Sequence, residues 1–288
     1  MQNRKSIYGI IGNPVEHSLS PLMHNAAFRE LGVNSEYRLF PLKEEELAGF
    51  FADLRKKDNE IFGFNVTVPY KEKVLEYMDS LNPFAQRARA VNCVIVTKDR
   101  LIIGVNTDGP GFLAHLTELK FDTKDKRIAI LGAGGTTRAI LSAVCLLPER
   151  PESVTLYNHH PEKANALIAD LAERVDMSLV KVVNSIDDLN LELADLLINT
   201  TPVGMNPGDP LLVDPELLHP NMLVYDVIYR PAETKLLKTA RQKGARTVNG
   251  LGMLYYQAVL SLQHWAGAQL RDSIKAKMRE SLQQGSPR

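Results

Sequence analysis

The sequence predicts an α/β fold of two domains, one a general α/β domain and the other a doubly wound parallel sheet. Its 288 residues suffice for two domains of ordinary size. Short β-branched and aromatic runs alternate with helical patterns over most of the chain, which is typical of parallel sheets with crossover helices. At residues 127–131 a hydrophobic run leads directly into Gly132-Ala133-Gly134-Gly135 and then into a helical pattern. That order is typical of a nucleotide-binding sheet.

The first half of the chain opens with a strand at residues 6–11, which ends at a Gly12-Asn13-Pro14 break. A helix is predicted at residues 20–31, with Ser20 as its N-cap and Pro21 at the first helical position. Further strands are predicted at residues 36–40, 61–68, 93–97 and 101–104, and helices at residues 44–57 and 71–78. Lys71 is thereby predicted to open a helix.

The second half begins after the charged residues 122–126. Its predicted elements are strands at 127–131, 153–157, 179–183, 195–199 and 223–227, and helices at 136–147 and 161–175. This alternation predicts one doubly wound, Rossmann-type domain over residues 109–249. Residues 1–108 plus 250–288 are predicted to form the other domain, with a helical C-terminal part.

Composition argues against several classes of protein. Lys plus Arg and Asp plus Glu both total 34, and a nucleic-acid partner requires clustered positive charge instead. The N-terminus lacks the apolar core of a signal peptide, and the longest apolar run, residues 251–262, is shorter than a membrane span. The two cysteines, Cys93 and Cys145, form no CxxC pair. We therefore expect a cytoplasmic protein with no metal site and no membrane partner. The sequence leaves both a monomer and a homodimer open.

The glycine-rich turn is interpreted as a phosphate-binding loop. Glycines let the backbone turn sharply and approach a pyrophosphate, whose charge lies at the positive N-terminus of the following helix. A strand and a helix flank the motif, so the context that a dinucleotide site requires is present. The alternative is a turn with a purely structural role.

The end of the next strand indicates which dinucleotide is favoured. Enzymes that use NAD usually place a carboxylate there, which accepts hydrogen bonds from the ribose 2′-hydroxyl. This strand ends in Tyr157-Asn158-His159-His160 without an acid, so a 2′-phosphate is not repelled. Asn158, His159 and Lys163 could donate to that phosphate. NADP is therefore favoured over NAD, the alternative being that these are ordinary exposed turn residues.

Polar residues in the first half carry little information singly. Ser18 and Ser20 place two hydroxyls at one helix start, a position suited to a carboxylate. Asn65 and Thr67 share one face of a strand, and Lys71 follows them. Each has an ordinary explanation as well, since serine is a common N-cap, asparagine a turn former and lysine mostly exposed.

Taken together, these residues belong to seven motifs that resemble, in order, those of the shikimate dehydrogenases. The motifs are Ser-Leu-Ser-Pro, Asn-Val-Thr-Val-Pro-Tyr-Lys, Ala-Val-Asn, Asn-Thr-Asp-Gly, Gly-Ala-Gly-Gly, Asn-Thr-Thr-Pro-Val-Gly-Met and Gly-Met-Leu-x-x-Gln. The resemblance implies reversible NADP-linked reduction of 3-dehydroshikimate to shikimate, in the pathway to aromatic amino acids. It also implies a nucleotide domain inserted into a substrate domain, with the active site in the cleft.

The resemblance further implies roles for individual residues. The catalytic pair would be Lys71 and Asp108, on either side of the reacting hydroxyl. The substrate would be held by Ser18, Ser20, Asn65, Thr67, Asn92, Tyr229 and Gln257. The cofactor would be held by Gly132, Ala133, Gly134, Gly135, Thr136, Asn158, His159, His160, Lys163, Thr200, Val227, Gly250 and Met253.

The chemistry of the reaction agrees with the implied pair. Removing a hydride from a secondary alcohol also requires loss of the hydroxyl proton, which a positioned acid/base must exchange. Lys71 has the reach and charge to do this and to stabilise a developing alkoxide, and Asp108 could orient it. Either residue could be the formal base, because a partly desolvated Lys–Asp pair titrates as a unit.

Two residues depart from the family pattern. His159 stands where members that use NADP usually have arginine, and a largely neutral imidazole binds a dianionic phosphate less well than a guanidinium. The NADP preference is therefore expected to be weakened, or NAD tolerated. Cys93 stands where threonine is more common, and we attach no function to it.

Two other functions stay open at this point. The nearest is a quinate or dual quinate/shikimate dehydrogenase using NAD or NADP, although the paired serines favour shikimate. The other is a cofactor-binding regulatory protein without catalysis. Such a protein would be expected to lack Lys71 or Asp108, and both are present.

Overall fold

The computed structural model describes residues 5–285, so the ends of the predicted domain segments, residues 1–4 and 286–288, lie outside it. The chain divides into two compact units. The first comprises the chain up to Gly111 and the segment from Leu254 onward, and the second comprises Phe112–Met253. These boundaries fall inside helices at Asp108–Glu118 and Leu251–Ala266, whereas the predicted boundaries fall at or just before the start of the same helices.

The elements follow in the order that the alternating pattern indicates. The first unit opens with β1 (Ser6–Gly12), α1 (Ser20–Leu31), β2 (Ser35–Pro41), α2 (Leu47–Leu54), β3 (Ile61–Val66), β4 (Ser80–Leu81), α3 (Pro83–Ala88), β5 (Cys93–Val96) and β6 (Ile102–Val105). Next come α4 (Asp108–Glu118), β7 (Arg127–Leu131), α5 (Gly135–Cys145), β8 (Ser153–Tyr157), α6 (Pro161–Ala172), β9 (Val180–Val183), β10 (Leu196–Asn199), β11 (Leu223–Asp226), α7 (Lys235–Gln242) and β12 (Arg246–Val248). The last two helices are α8 (Leu251–Ala266) and α9 (Asp272–Gly285).

The sheet of the first unit is mixed, with strand order β2-β1-β3-β5-β6-β4. β1 pairs in parallel with β2 and β3, but β5 is antiparallel to both β3 and β6. The expectation of parallel strands is therefore wrong for this part of the sheet. The reason is the tight turn between β5 and β6, where Thr97 N–H bonds Leu101 O and Arg100 adopts a left-handed backbone at φ 65°. So short a connection permits only antiparallel pairing.

The core of the first unit is built by helix α2 against the sheet. Leu47, Phe51 and Leu54, spaced by four and three residues, form one apolar stripe. They pack against Phe64 and Val94 from β3 and β5, all of them buried. The stripe holds these two strands in place. Of the polar residues of the candidate site, Asn65 lies in β3 and Asn92 directly precedes β5.

The second unit contains a fully parallel sheet in the order β12-β11-β10-β7-β8-β9. Side chains alternate along its strands between two apolar clusters. Ile128 and Ile130 lie in one cluster with residues of α5 and α6, while Ala129 and Leu131 lie in the other with residues of α7. Helices thus cover both faces, which confirms the predicted doubly wound sheet.

Two predictions about helix starts, the N-cap of α1 and a helix opened by Lys71, are wrong. Helix α1 has the predicted bounds, but its N-cap is Leu19 and Ser20 is its first residue, with Ser18 Oγ accepting the N–H of Ser20 at 3.3 Å. Lys71 lies in a turn before a 3₁₀ helix at Lys73–Tyr77, not in an α-helix, because its carbonyl accepts from Val91 N–H instead of from the next turn. Asp108 is the first residue of α4.

Candidate active site

Lys71 and Asp108 form an ion pair in the first unit. Lys71 Nζ donates to Asp108 Oδ2 at 2.7 Å, and the side chains are only 12% and 8% exposed. The bond between Val91 N–H and the Lys71 carbonyl fixes the lysine backbone, and the start of α4 fixes the aspartate. A carboxylate is also favoured at this position, because the N-terminus of a helix carries positive partial charge. The structure therefore brings together the two residues that the sequence could only list separately.

Asn92 holds the other oxygen of the same carboxylate. Its Nδ2 donates to Asp108 Oδ1 at 2.7 Å and to Thr107 Oγ1 at 2.9 Å. Its Oδ1 accepts from Thr107 N–H at 2.6 Å. Because both amide hydrogens of Asn92 are used within the protein, this side chain orients Asp108 between two fixed donors. Any contact of Asn92 with a ligand in this arrangement is limited to its carbonyl oxygen.

Asn65 is held in the same way, by two residues that the sequence analysis missed. Tyr37 Oη donates to Asn65 Oδ1 at 2.8 Å, and Asn65 Nδ2 donates to Ser261 Oγ at 2.9 Å and to the Asn92 carbonyl at 3.0 Å. Asn65 can therefore meet a ligand only as an acceptor. Ser261 lies four residues after Gln257 on α8, so helical spacing from that motif could have indicated it. No comparable sequence signal indicates Tyr37.

We call the set linked by these bonds the buried polar network. Its members are Tyr37, Asn65, Lys71, Asn92, Thr107, Asp108 and Ser261. All except Lys71 are buried. Satisfied polar networks in a poorly solvated interior are rigid, since any displaced member leaves an unpaired polar group. The network thus presents one ammonium and one carboxylate in fixed positions.

The remaining predicted substrate residues of the first unit contact other residues of that unit. Ser18 and Ser20 are joined by the hydrogen bond described above, and Ser20 is buried. Thr67 N–H donates to the Ile11 carbonyl, and a Cβ built on Gly12 would lie 2.4 Å from Thr67 Cγ2. Gln257 Nε2 donates to the Leu254 carbonyl at 2.8 Å. Tyr229, in the second unit, is partly buried, and burial raises its pKa.

Beneath the network lies a buried histidine that no motif indicated as special. The ring of His24 stacks on Tyr37 with centroids 4.4 Å apart and an interplanar angle of 12°. Trp265 packs against the same imidazole at 5.1 Å. Burial lowers the pKa of His24 to about 3, so the imidazole is neutral at physiological pH. It supports the Tyr37 ring as an aromatic surface, not as a charge.

The glycine-rich turn of the second unit has the geometry that a dinucleotide requires. Gly132 has φ 103°, and a Cβ there would lie 2.6 Å from Thr200 Oγ1, so this position excludes other residues. A Cβ on Gly134 would meet nothing within 4 Å, which leaves open space at the N-terminus of α5. Thr137 Oγ1 donates to the Gly132 carbonyl at 2.9 Å and braces the turn. These residues fit a pyrophosphate group at the helix N-terminus.

The end of β8 is exposed and carries the residues predicted for the 2′-phosphate. Asn158 Nδ2 donates to the His160 carbonyl at 2.9 Å, which shapes the turn before α6. His160 Nδ1 lies 3.3 Å from Glu162 Oε1. His159 and Lys163 are both exposed. Among the predicted donors, the turn therefore leaves His159 and Lys163 at the surface, with Asn158 used to build the turn.

The residues predicted for the nicotinamide end surround the ends of β10 and β11. Thr200 Oγ1 donates to the Leu131 carbonyl at 2.7 Å, beside the glycine-rich turn. A Cβ on Gly250 would lie 2.0 Å from the carbonyl oxygen of Val227, so only glycine fits there. Met253 is buried in the apolar cluster that includes Ile198 and Tyr225. Ligands of parallel sheets bind at this carboxyl edge.

No group of three histidine, cysteine or acidic side chains suited to a metal ion occurs among residues 5–285. Cys93 and Cys145 are free and buried, and burial raises the pKa of both thiols to about 12. Neither thiol is therefore a nucleophile at neutral pH. In the same described range, no helix combines the length and the apolar character needed to cross a membrane.

A glycine-rich turn at the carboxyl edge of a doubly wound sheet, in a chain that also carries a part-buried Lys–Asp pair, defines the class as a dinucleotide-dependent oxidoreductase. Residues 10–94 match a family described as the shikimate dehydrogenase substrate binding domain. A curated relative from Methanopyrus kandleri, named shikimate dehydrogenase (NADP(+)), is 41% identical over 282 residues, which cover 96% of this chain and 94% of the relative. The chain belongs to the shikimate dehydrogenase family.

Two solved structures agree with this membership and differ in the nucleotide they contain. The shikimate 5-dehydrogenase of Thermus thermophilus, in complex with NADP(H) and shikimate, has a TM-score of 0.82 and 32% identity, covering 97% of this chain and 99% of its own. That of Listeria monocytogenes, in complex with shikimate and NAD, has the same TM-score and identity, covering 94% and 96%.

Proposed function

We propose that this chain catalyses the reversible NADP-dependent reduction of 3-dehydroshikimate to shikimate, in the pathway to aromatic amino acids. The observation that carries the proposal is the Lys71–Asp108 ion pair, with its 2.7 Å bond and its low exposure, in a member of this family. The buried polar network supports it, because a catalytic group contributes most when its position is fixed before the substrate binds.

Lys71 and Asp108 exchange the hydroxyl proton in the proposed reaction. The bound nicotinamide supplies the hydride chemistry. During reduction, Lys71 Nζ donates a proton to the oxygen that was the ketone, and in the reverse direction the pair takes it back. Asp108 holds the ammonium through Oδ2 while Asn92 holds Oδ1. Removing the charge of either residue would break the ion pair between them, so the two act as a unit.

The other substrate residues hold the carboxylate and the ring hydroxyls in the proposed reaction. Ser18 and Ser20 bind the substrate carboxylate at the start of α1, where helix polarity favours an anion. Neither serine side chain is the N-cap of that helix, which has Leu19 at that position. Asn65 accepts from a ring hydroxyl through its free lone pair, and Thr67, Gln257 and Tyr229 supply further hydrogen-bonding groups.

The cofactor residues bind the dinucleotide along the carboxyl edge of the second sheet. Residues 132–136 hold the pyrophosphate, and His159 and Lys163 contact the 2′-phosphate from their exposed positions. Thr200, Val227, Gly250 and Met253 bind the nicotinamide end. The replacement of arginine by His159 is the reason to test NAD beside NADP, because an imidazole binds a phosphate less firmly than a guanidinium.

Four initial rates test the proposal. The purified chain is mixed with shikimate or quinate and with NADP⁺ or NAD⁺, and the absorbance of the reduced nicotinamide is followed. We expect the highest kcat/KM for shikimate with NADP⁺. A higher value for quinate would support the quinate dehydrogenase alternative instead. Background rates with all four pairs, together with nucleotide binding, would favour the regulatory alternative. We also propose a cytoplasmic location and a monomeric or homodimeric state, which cell fractionation and light scattering would check.

A further inference from the structure

Two buried polar side chains end neighbouring strands at the carboxyl edge of the second sheet. Asn199 ends β10 and Asp226 ends β11, and the two are paired in register. Both are 0% exposed. Asn199 Nδ2 donates to Asp226 Oδ1 at 3.0 Å. We call these two residues the Asn199–Asp226 couple. None of the roles proposed above includes it.

Asn199 fixes the loop that follows β10. Its Oδ1 accepts from the backbone N–H of Thr201 at 3.0 Å and from Thr201 Oγ1 at 2.7 Å. Its second amide hydrogen goes to the Val203 carbonyl at 3.2 Å. Residues 200–203 are therefore wrapped around one side chain. The same loop lies against the glycine-rich turn, since a Cβ on Gly132 would meet both Thr200 and Thr201.

Asp226 fixes the loop that follows β11. Its Oδ1 also accepts from Ile228 N–H at 3.1 Å, and its Oδ2 accepts from Thr234 Oγ1 at 2.7 Å. Thr234 Oγ1 in turn accepts from Leu237 N–H and caps α7. Residues 226–234 thus bend around the carboxylate. Val227 in this loop places its carbonyl where only glycine at position 250 is tolerated.

The hydrogen bonding of the couple indicates a role in fixing the backbone geometry and not in stabilising the fold. All three donors to Asp226 are neutral, and burial raises the pKa of its carboxyl against their effect. Burying a carboxylate without a cation is unfavourable, and an apolar pair would join the two strands at lower cost. A buried acceptor with several fixed donors does, however, impose one geometry on the backbone around it.

We infer that the Asn199–Asp226 couple is a positioning device that sets the two loops, residues 200–203 and 226–234, against the nicotinamide half of the dinucleotide. The inference rests on the proposed function, because it takes Thr200 and Val227 as nicotinamide contacts. The couple itself contacts neither the cofactor nor the substrate. Because the couple acts through the loops, its loss weakens binding of the nicotinamide half and leaves binding of the adenosine half unchanged.

Binding of two ligands to the variant Asp226→Asn tests the inference. One ligand is NADP⁺, and the other is 2′-phosphoadenosine 5′-diphosphoribose, the same molecule without its nicotinamide ring. We expect the variant to bind NADP⁺ about tenfold more weakly than the wild type, equivalent to about 1.4 kcal/mol, and to bind the fragment like the wild type. Both dissociation constants are measured by calorimetry, without substrate, so the result does not depend on turnover.

Asp195→Asn is the matched control. Asp195 precedes the same strand β10 at its opposite end, where it accepts from Arg127 N–H at 2.9 Å and from Lys126 Nζ at 3.0 Å. The control therefore changes a hydrogen-bonded carboxylate of the same sheet away from its carboxyl edge. We expect its NADP⁺ affinity to equal that of the wild type, even where its melting temperature falls.

A second pair of variants applies if Asp226→Asn does not fold. Thr234→Val removes only the bond to Asp226 Oδ2 and the cap of α7, whereas Thr234→Ser keeps both. We expect Thr234→Val to weaken the binding of NADP⁺ more than the binding of the fragment. Thr234→Ser should bind both like the wild type. Equal weakening of both ligands, or no weakening of either, would overturn the inference while leaving the proposed function intact. Failure of the wild-type chain to bind NADP⁺ would overturn both.

Discussion

At the scale of single residues, the environment of Asp108 decides what the site can do. Its two carboxylate oxygens each have one donor, Lys71 on one side and Asn92 on the other. The sequence could indicate all three residues through their motifs. It could not indicate that Asn92 uses both amide hydrogens inside the protein, because this depends on Thr107 and on the rotamers of a packed interior. The role of Asn92 is therefore sharper in the structure than in the motif.

The buried His24 predicts a pH dependence of stability. Its pKa is lowered to about 3 in the folded chain, whereas an unfolded histidine titrates near 6.5. The unfolded state binds the proton more readily, so stability is complete above pH 6.5 and is lost as the pH falls towards 3. From pH 6.5 to 5 this group alone should remove roughly 2 kcal/mol from the free energy of unfolding.

Urea unfolding of His24→Phe at pH 7 and pH 5 checks this expectation. The phenyl ring keeps the stacking on Tyr37 and cannot take up a proton, so the variant should lose less stability than the wild type over that range. His17→Phe, at an exposed position, is the control and should follow the wild type. An unchanged pH dependence in His24→Phe would show that the imidazole is not responsible.

We predict that substitution of His159 changes the preference between NADP and NAD. Replacing it with arginine introduces a permanent charge and a bidentate donor at the exposed end of β8. We expect the ratio of kcat/KM for NADP⁺ over NAD⁺ to rise by about tenfold. Equal ratios for both proteins would remove His159 from the 2′-phosphate site.

At the scale of elements, strands were predicted better than the segments between them. Strand β8 was predicted with its observed bounds, because buried parallel strands are short apolar runs that turn residues delimit. The 71–78 helix was wrong because a long-range bond, from Val91 N–H to the Lys71 carbonyl, replaces the local one. Periodicity reports the burial of side chains and carries no information on such backbone partners.

We predict that alanine substitutions at the two glycines of the cofactor turn affect stability to different extents. Gly132→Ala would force a Cβ into Thr200 at φ 103°, so we expect a loss of about 1 to 3 kcal/mol. Gly134→Ala meets open space and should change the free energy of unfolding by much less. The added methyl group would instead stand at the start of α5, so NADP⁺ affinity should fall. Thermal unfolding and calorimetry separate the two effects, and equal destabilisation would contradict this description of the turn.

At the scale of the whole molecule, the sequence order of motifs predicted the family and the doubly wound sheet, but not the buried polar network. That network joins residues that lie far apart in sequence, such as Tyr37 and Asn65 at 28 positions and Asn65 and Ser261 at 196. The mixed pairing of the first sheet was missed for a related reason. Alternation of strands and helices is similar in parallel and mixed sheets, and the direction of pairing depends on the length of each connection.

The turnover of Lys71→Ala tests the central claim most directly. We expect kcat for shikimate oxidation to fall by about 10² to 10⁴ with a modest change in KM, because Lys71 exchanges the proton and binds little of the substrate. Lys73→Ala is the control, since Lys73 is exposed and pairs with Glu44 at the surface, and it should turn over like the wild type. Wild-type turnover in Lys71→Ala would contradict the assignment of the Lys71–Asp108 pair as the catalytic group.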